Sequence, residues 1–265
     1  MTTMFKNWTA LVTGASKGIG AEFARELAAR GADLVLVARS ADSLHALAKE
    51  VTGKYGVRAT VIAADLNKPH AARTILGELS REGLEIDLLI NNAGLGQTGN
   101  FLGNELDHEL ASIQVNVHAL VALSHGVGQR LSRRGRGGII NVASDAAFQP
   151  LPYMATYAAT KAFVLHFTEA LRHELAGSGV DVMVVVPGST ATGFFDGVSV
   201  SMPANAFDRA DVVAKRTLDD FERGKAISYP GRVGVRLRTL AARVLPRNVV
   251  VKVAAGATTK MGLAD

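Results

Sequence analysis

The stretch from Thr9 to Ala38 most narrows what this chain can fold into. Thr9-Ala10-Leu11-Val12-Thr13 is short, apolar and β-branched, the pattern of a buried strand. Gly14-Ala15-Ser16-Lys17-Gly18-Ile19-Gly20 follows, and helical periodicity runs from Ile19 to Arg30. Gly31-Ala32 ends that helix, and Asp33 to Ala38 is a second apolar strand. A strand, a glycine-rich turn, a helix and a strand within about 30 residues form the setting in which a helix N-terminus meets a pyrophosphate. Glycines let the backbone bend and come close, and the first turn of the helix presents unpaired N–H groups and a positive dipole end. The spacing is Gly-x-x-x-Gly-x-Gly rather than Gly-x-Gly-x-x-Gly. The second strand ends in Val37-Ala38-Arg39-Ser40, without the acid that usually holds an adenosine ribose. Arg39 offers a planar fork for a 2′-phosphate, and Lys17 offers a second positive charge. Both point to NADP(H) rather than NAD.

The same alternation continues. Ser40 caps a helix to about Gly53, and Val57 to Ala63 reads as the third strand. Asp65-Leu66 follows it; Asp65 either accepts from an adenine amino group or caps its own turn. A helix from Pro69 to Glu82 leads to the fourth strand, Ile86 to Asn91, which runs into Asn91-Asn92-Ala93-Gly94. Small residues there let the backbone pass close to a ligand, while the Asn amides can tie neighbouring strands together. Glu105 to Arg134 reads as one long helix with Asn116 in an apolar stretch, where its amide must be bonded, kinking the helix or holding a water. Gly137 to Ser144 and Val180 to Val186 are strands five and six. Asp211 to Gly224 reads as a helix, and Ala226 to Tyr229 as the last strand. Apolar strands alternating with helices imply an α/β architecture, a parallel sheet covered on both faces. Ligands in such sheets bind at the C-terminal ends of strands, where Gly14, Gly94 and Ser144 fall.

Tyr157-Ala158-Ala159-Thr160-Lys161 adds chemistry to this frame. Helical positions i and i+4 share a face, so a phenol sits one turn from an ammonium. A neighbouring Lys⁺ favours the phenolate and is expected to lower its pKa from about 10. The loop from Asp145 to Thr156, with Pro150 and Pro152, can return this helix across the end of the strand that carries Ser144.

The combination Thr13-Gly14-x-x-x-Gly18-x-Gly20, Asp65, Asn91-Asn92-Ala93-Gly94, Asn116, Ser144, Tyr157-x-x-x-Lys161 and Pro187-Gly188 resembles the short-chain dehydrogenase/reductase family in order and spacing. The resemblance covers roughly residues 7 to 192. It implies a single Rossmann-type, doubly wound domain with a seven-stranded parallel sheet and helices on both faces. It implies Tyr157 as general acid/base, Ser144 as the donor to a substrate carbonyl, and Lys161 as the group that binds the nicotinamide ribose and lowers the Tyr157 pKa. Asn116 would hold a water in a proton relay, and Thr190 or Thr192 would meet the carboxamide. Cofactor contacts are expected at Gly14, Ser16, Lys17, Gly18, Ile19, Gly20, Arg39, Asp65, Leu66, Asn92, Ala93, Gly94, Tyr157, Lys161, Pro187, Gly188, Thr190 and Thr192. The expected activity is NADP(H)-dependent interconversion of a carbonyl and a secondary alcohol. A dinucleotide-binding sensor without turnover is the alternative, although such proteins usually lose the Tyr or the Lys. The Pro-Gly-Ser-Thr-Ala-Thr-Gly-Phe-Phe stretch and basic C-terminus resemble the DltE-like subgroup, whose relatives reduce long-chain 3-oxoacyl and steroid carbonyls. The family also suggests a homodimer or homotetramer built on the helices holding Asn116 and Tyr157.

Phe194 to Arg209 has Phe194, Phe195, Val198, Val200, Met202, Pro203 and Phe207, too irregular for a strand or long helix. It is expected to be the substrate lid, within a lid region spanning 194–225, and its apolar character suits an apolar substrate. Leu95, Phe148, Tyr153 and Met154 are candidates for the same pocket. The extension 231–265 is basic: from Phe221 onward the net charge is +7, against −2 for the rest. Val233, Leu237, Leu240, Ala241, Val244 and Leu245 share one helical face flanked by arginines, suited to core packing, a subunit contact, a membrane surface or an acyl-carrier partner. Gly256 to Asp265 reads as frayed. With no Cys there is no disulfide and no thiolate metal site, and the seven His form no ligand motif, so no metal is expected. The aromatics do not alternate with the bases as nucleic-acid binding requires. Met1 to Thr9 lacks a signal peptide's apolar stretch, and no run approaches the roughly 18 apolar residues of a spanning helix. A cytoplasmic enzyme is the expectation.

Overall fold

Leu34, Leu36 and Ala38 pack into one core, and Val35 and Val37 pack into another. A strand that is apolar on both sides belongs inside a doubly covered sheet. The computed structural model describes residues 3–195, 201, 203 and 206–264 and places this strand there. The strands are β1 (Thr9–Thr13), β2 (Asp33–Ala38), β3 (Ala59–Ala63), β4 (Leu88–Asn91), β5 (Gly137–Val142), β6 (Val180–Val185), β7 (Thr190–Ala191), β8 (Asp208–Arg209) and β9 (Ile227–Ser228). Seven of them form a parallel sheet in the order β3-β2-β1-β4-β5-β6-β9, as expected. β7 and β8 pair separately, so the stretch read as too irregular for a strand ends in one. The third strand starts at Ala59 rather than Val57.

The helices are α1 (Gly18–Ala29), α2 (Ala41–Tyr55), α3 (Ala71–Arg81), α4 (Leu106–Ile113), α5 (Leu120–Arg134), α6 (Ala155–Glu174), α7 (Ala210–Glu222), α8 (Val233–Val244) and α9 (Arg247–Lys260). Side chains from α1, α2 and α7 fill the core on one face of the sheet. α3 and α5 fill the other face, and α6 continues that layer with Val164 and Leu165. Ser40 caps α2 as read, its hydroxyl accepting from the Ser43 N–H.

The long helix expected from Glu105 to Arg134 is continuous from Leu106, but its middle, Gln114–Ala119, is a π-helix. Asn116 lies in that wider turn, a π-bulge within the helix. By length and apolarity the 29-residue stretch Leu106–Arg134 is long enough to cross a bilayer, which the sequence reading had not found. Here it is a core helix, with Ala119, Leu123, Val127 and Leu131 buried against the sheet.

The C-terminus also corrects the sequence reading. Residues 256–260 continue α9, and Leu263 is buried, so this end is not frayed. The apolar face assigned to α8 points outward. Val233, Leu237, Leu240 and Val244 are exposed, while Val235, Thr239 and Ala242 face the interior. Small side chains there let the helix lie close to its neighbours, which a leucine-rich face would not. The expected lid residues Val198, Val200 and Met202 lie outside the described residues.

Buried amides tie the middle of the sheet to its two covering helices. Asn91 and Asn141 are register partners on β4 and β5. Asn91 Nδ2 donates to Asn141 Oδ1 at 2.9 Å and to Ser124 Oγ of α5 at 2.9 Å. Asn141 Nδ2 donates to Thr168 Oγ1 of α6 at 3.0 Å. Removing one member leaves buried donors without acceptors. Asn141→Ala is expected to lower unfolding stability by about 2 kcal/mol in a urea titration; a loss below about 0.5 kcal/mol would show that the tie contributes nothing.

Candidate active site

The site begins where β1 and β4 separate, the point at which strand order reverses. Thr13, the last residue of β1, accepts from the N–H groups of Asn92 and Ala93, each at 3.0 Å, through its hydroxyl. The same hydroxyl donates to Ile90 O at 3.3 Å. Asn92 Nδ2 donates to Thr13 O at 2.9 Å. The Gly turn and the Asn-Asn-Ala-Gly turn are therefore locked side by side. Gly14 adopts φ +68°, and a Cβ on Gly20 would lie 2.2 Å from Gly14 O, so the turn tolerates no side chain at Gly20. Lys17 occupies the N-cap of α1 without a side-chain capping bond, in contrast to Ser40 on α2. No side chain of the N-cap residue takes up the first N–H groups of α1, which is a fit for a pyrophosphate. Ser16 and Ile19 are half-buried in this turn.

Arg39 is exposed directly after the end of β2. Lys17 is placed differently: its Nζ donates to Gly193 O at 3.0 Å, which ties the Gly turn to the start of the lid. Gly18 lies against the side chain of Thr192. Asp65 accepts from the Asn67 N–H at 3.0 Å, so one of its oxygens caps its own turn; Leu66 is buried beneath it.

The second half of the site gathers on α6. Ser144 follows β5 and caps a short 3-10 turn, its hydroxyl accepting from the Ala146 N–H at 3.2 Å and donating to Asp145 Oδ1 at 3.2 Å. Lys161 is buried, its Nζ donating to Val142 O at 2.8 Å and lying 5.7 Å from the centre of the Tyr157 ring. Asn116 Nδ2 donates to Leu95 O at 2.7 Å and to Thr160 Oγ1 at 2.9 Å, and Asn116 Oδ1 accepts from the Leu95 N–H at 2.8 Å. Thr160 in turn donates to Tyr157 O at 2.7 Å. A Cβ on Gly94 would sit 3.4 Å from both Asn116 Oδ1 and Lys161 Nζ, so the Gly94 backbone runs beside the ammonium. Tyr153 holds φ +66° just before α6, a conformation uncommon for a non-glycine residue, and its carbonyl accepts from the Gly99 N–H at 3.0 Å.

Phe194 lies against Tyr157, its ring centre 5.1 Å from that of Tyr157. Gly96 makes room for both rings, since a Cβ there would meet Phe194 at 2.6 Å and Tyr157 at 2.9 Å. Beyond it, buried Pro187 accepts from the Asp145 N–H at 3.0 Å, and Thr190 donates to Gly188 O at 3.0 Å. Of the residues expected to line the pocket, Phe148 and Met154 are buried in packing, whereas Leu95 and Tyr153 stay half-exposed. Phe148 is covered by the Arg243 guanidinium of α8, 4.7 Å from its ring centre.

Three contributors had no sequence signal. Thr160 and Asp145 are ordinary residues between motif positions. Arg238 reaches from α8 to Asp145 Oδ2 at 3.0 Å, 93 positions along the chain. No local pattern records such a contact.

The electrostatics also correct an expectation. Burial pushes the Tyr157 phenol up to about 12; the hydrogen bond to Ser144 works against that rise and the charge of Asp145 adds to it. Lys161 does not bring the phenol below its ordinary value, because the ammonium is itself pushed down to about 8 by burial. A recess of about 480 Å³ lined by Asn67, Asp107, Leu110, Ala111, Ile113 and Gln114 lies apart from this chemistry.

Comparison with known proteins agrees with this geometry. The family described as short chain dehydrogenase matches residues 8–201. A 7β-hydroxysteroid dehydrogenase of Collinsella aerofaciens is 35% identical over 182 residues, 69% of this chain and 68% of that protein. A very-long-chain 3-oxoacyl-CoA reductase of Podospora anserina is 37% identical over 184 residues, 68% of this chain and 54% of that protein, so the chain spans about half of its length. A short-chain dehydrogenase from Sphingobium yanoikuyae, solved in complex with NADPH, superposes with a TM-score of 0.81 at 37% identity, covering 89% of this chain and 93% of that one.

The buried pair gives stability a pH signature. Lys161 has a folded pKa of about 8 against an ordinary 10.5, so the unfolded chain binds more protons between those values and stability rises with pH across that window. Tyr157 has a folded pKa of about 12 against 10.0, so the folded chain holds the extra proton and stability falls from pH 10 to 12. The difference in unfolding free energy against pH, wild type minus Lys161→Met, should show the rise, and wild type minus Tyr157→Phe should show the fall. A difference curve flat in both windows would sink the assignment of these two shifts.

Proposed function

The chain belongs to the short-chain dehydrogenase family and is an oxidoreductase acting on CH–OH groups with NAD(P); from there we propose that it interconverts a ketone and a secondary alcohol on an apolar substrate, with NADP(H) as its dinucleotide. The observation that carries this reading is the gathering of Ser144, Tyr157 and Lys161 beside the uncapped N-terminus of α1.

The dinucleotide, when bound, supplies or accepts the hydride. In the reducing direction Tyr157 enters fully protonated, since its phenol titrates near 12. The alkoxide that develops on the substrate is a stronger base than a phenolate, so the proton passes from Tyr157 to that oxygen. Ser144 holds the same oxygen by a hydrogen bond, which requires its hydroxyl to leave Asp145 Oδ1. Lys161 stabilises the phenolate left behind and would hold the nicotinamide ribose. Asn116 is assigned to positioning, because its carboxamide braces Leu95 and Thr160. Both of its amide hydrogens are used, so a water at Asn116 has only oxygen atoms to bond. Gly14, Gly18 and Gly20 would leave room for the dinucleotide's phosphates, with Asn92, Ala93 and Gly94 and with Thr190 or Thr192 as its further contacts.

The preference for NADP(H) rests on Arg39, which makes no ion pair among the described residues and is exposed where a 2′-phosphate would arrive. An apolar substrate is supported by Phe194 against Tyr157, by the absence of Lys and Arg from Phe194 to Asp208, and by the steroid and long-chain 3-oxoacyl names of the relatives. A steroid-like or long-chain 3-oxoacyl ketone is the class to test first. The homodimer or tetramer is assigned to α4, α5 and α6, whose exposed Leu106, Leu110, Ile113 and Phe163 form an apolar surface.

NADPH is expected to bind more tightly than NADH, and Arg39→Ala should weaken NADPH about tenfold or more while leaving NADH unchanged. Equal loss for both dinucleotides would remove the 2′-phosphate assignment. Tyr157→Phe should retain NADPH binding and lose roughly 100- to 10,000-fold in kcat on a bulky apolar ketone. Undiminished turnover would overturn the mechanism, and binding with no turnover in the wild type on a broad ketone panel would favour a sensor.

A further inference from the structure

Exposed large apolar side chains fall into two groups among the described residues. One surrounds α4 and Phe163 and has been assigned to self-association. The other lies on α8 and α9. Val233, Leu237, Leu240 and Val244 are spaced four, three and four residues apart, so they form one stripe along α8. The stripe opposes Val235, Thr239 and Ala242, which pack inward. Its two ends, Val233 at 76% and Val244 at 84% exposure, touch little else in the chain. Leu245, and Val249 and Val253 on α9, are exposed as well.

Charge sets the character of a partner for this surface. No acid occurs from Arg223 to Ala264. Arg232 and Arg238 turn inward to Asp208 and Asp145, and Arg236 and Arg243 lie over Tyr229 and Phe148. These four hold α8 on the body. Arg247, Lys252 and Lys260 of α9 have no ion pair among the described residues and add positive charge beside the apolar stripe.

We propose that the outer face of α8 and α9 rests on an anionic lipid bilayer, with the aliphatic stripe at the acyl boundary and the bases on lipid phosphates. A helix with this division of faces lies in the plane of a membrane interface. A second copy is a poor match, because a two-fold pairing of this face would set one set of bases against the other. An acidic protein would satisfy the bases but would also need an apolar ridge to cover the stripe.

The test is flotation of the full chain with vesicles of phosphatidylcholine alone or mixed with phosphatidylglycerol. Binding is expected only to the mixed vesicles, weakening as salt is raised. Leu237→Glu with Val244→Glu should cut the bound fraction about tenfold, while the thermal midpoint and NADPH binding stay unchanged. Should that pair unfold the protein, Leu237→Ser with Val244→Ser reads the same effect. Arg247→Glu with Lys252→Glu should reduce binding and flatten its salt dependence. No flotation with mixed vesicles at low salt, or flotation indifferent to both pairs, overturns the proposal. So does a fall in oligomeric size caused by Leu237→Glu with Val244→Glu in sedimentation velocity without lipid, which assigns the face to a second copy. Binding of a purified acidic carrier protein that is lost in the same variants, with no vesicle binding, assigns it to that class instead.

Discussion

The hydroxyl of Thr13 is the interaction on which the rest of the site depends. It accepts from two successive backbone N–H groups, of Asn92 and Ala93, and donates to Ile90 O. Those bonds close the gap that opens when β1 and β4, neighbours in the sheet, send their chains to opposite faces. A parallel sheet leaves such a crevice wherever strand order reverses, and only fixed turns make it a binding site. Asn92 adds its side-chain bond to Thr13 O, so the Gly turn has little freedom relative to the 92–94 turn. Glycines at 14 and 20 follow from this closeness, because a side chain at either would meet the opposing turn or the turn's own carbonyl.

From there the geometry passes through Gly94 and Leu95 to Asn116. A buried amide in an apolar helix is costly unless fully bonded. The π-bulge places that amide between the Leu95 backbone and Thr160, joining the switch point to α6. α6 carries Tyr157 and Lys161 on one face, so both are set by the same bond network that orders the Gly turn. Lys161 needs its own partner in that dry setting and has one in Val142 O, at the end of the strand leading to Ser144. A buried ammonium near a buried phenol does not simply acidify it; burial shifts both groups toward their neutral forms.

α8 then joins the C-terminal extension to the site. Val235 packs on Gly188, and Arg238 pairs with Asp145 beside Ser144. The inner face of α8 therefore presents the smaller Val235, Thr239 and Ala242 to the body, and the larger aliphatic residues Leu237 and Leu240 are left outside. The same helix braces the Ser144 turn through Arg238 and presents the exposed stripe on its other side.

The strands, the Gly turn, the Tyr-x-x-x-Lys pair and the parallel, doubly covered sheet were legible because each is local. Period, glycine spacing and the i, i+4 relation leave their mark within a few residues, and strands that are apolar on both sides admit one kind of sheet. The Asn91 and Asn92 amides could be read as strand ties or as a plain turn, since amides at a strand end have few places to go. What was not legible depends on partners far away in sequence. An amphipathic pattern in α8 shows two faces but not which is inward; contact with Gly188 and Asp145 decides that. The direction of the Tyr157 shift depends on how much water the fold removes around it, against a charge that is itself suppressed by burial. Lys17 has the charge to meet a phosphate, yet its ammonium lies on Gly193 O because the lid begins there. The sequence by itself determined the fold class and the kinds of side chain at the site, through short-range pattern and covalent identity. Only the tertiary structure decided faces, partners and proton affinities, because these come from packing and desolvation by elements that no local window contains.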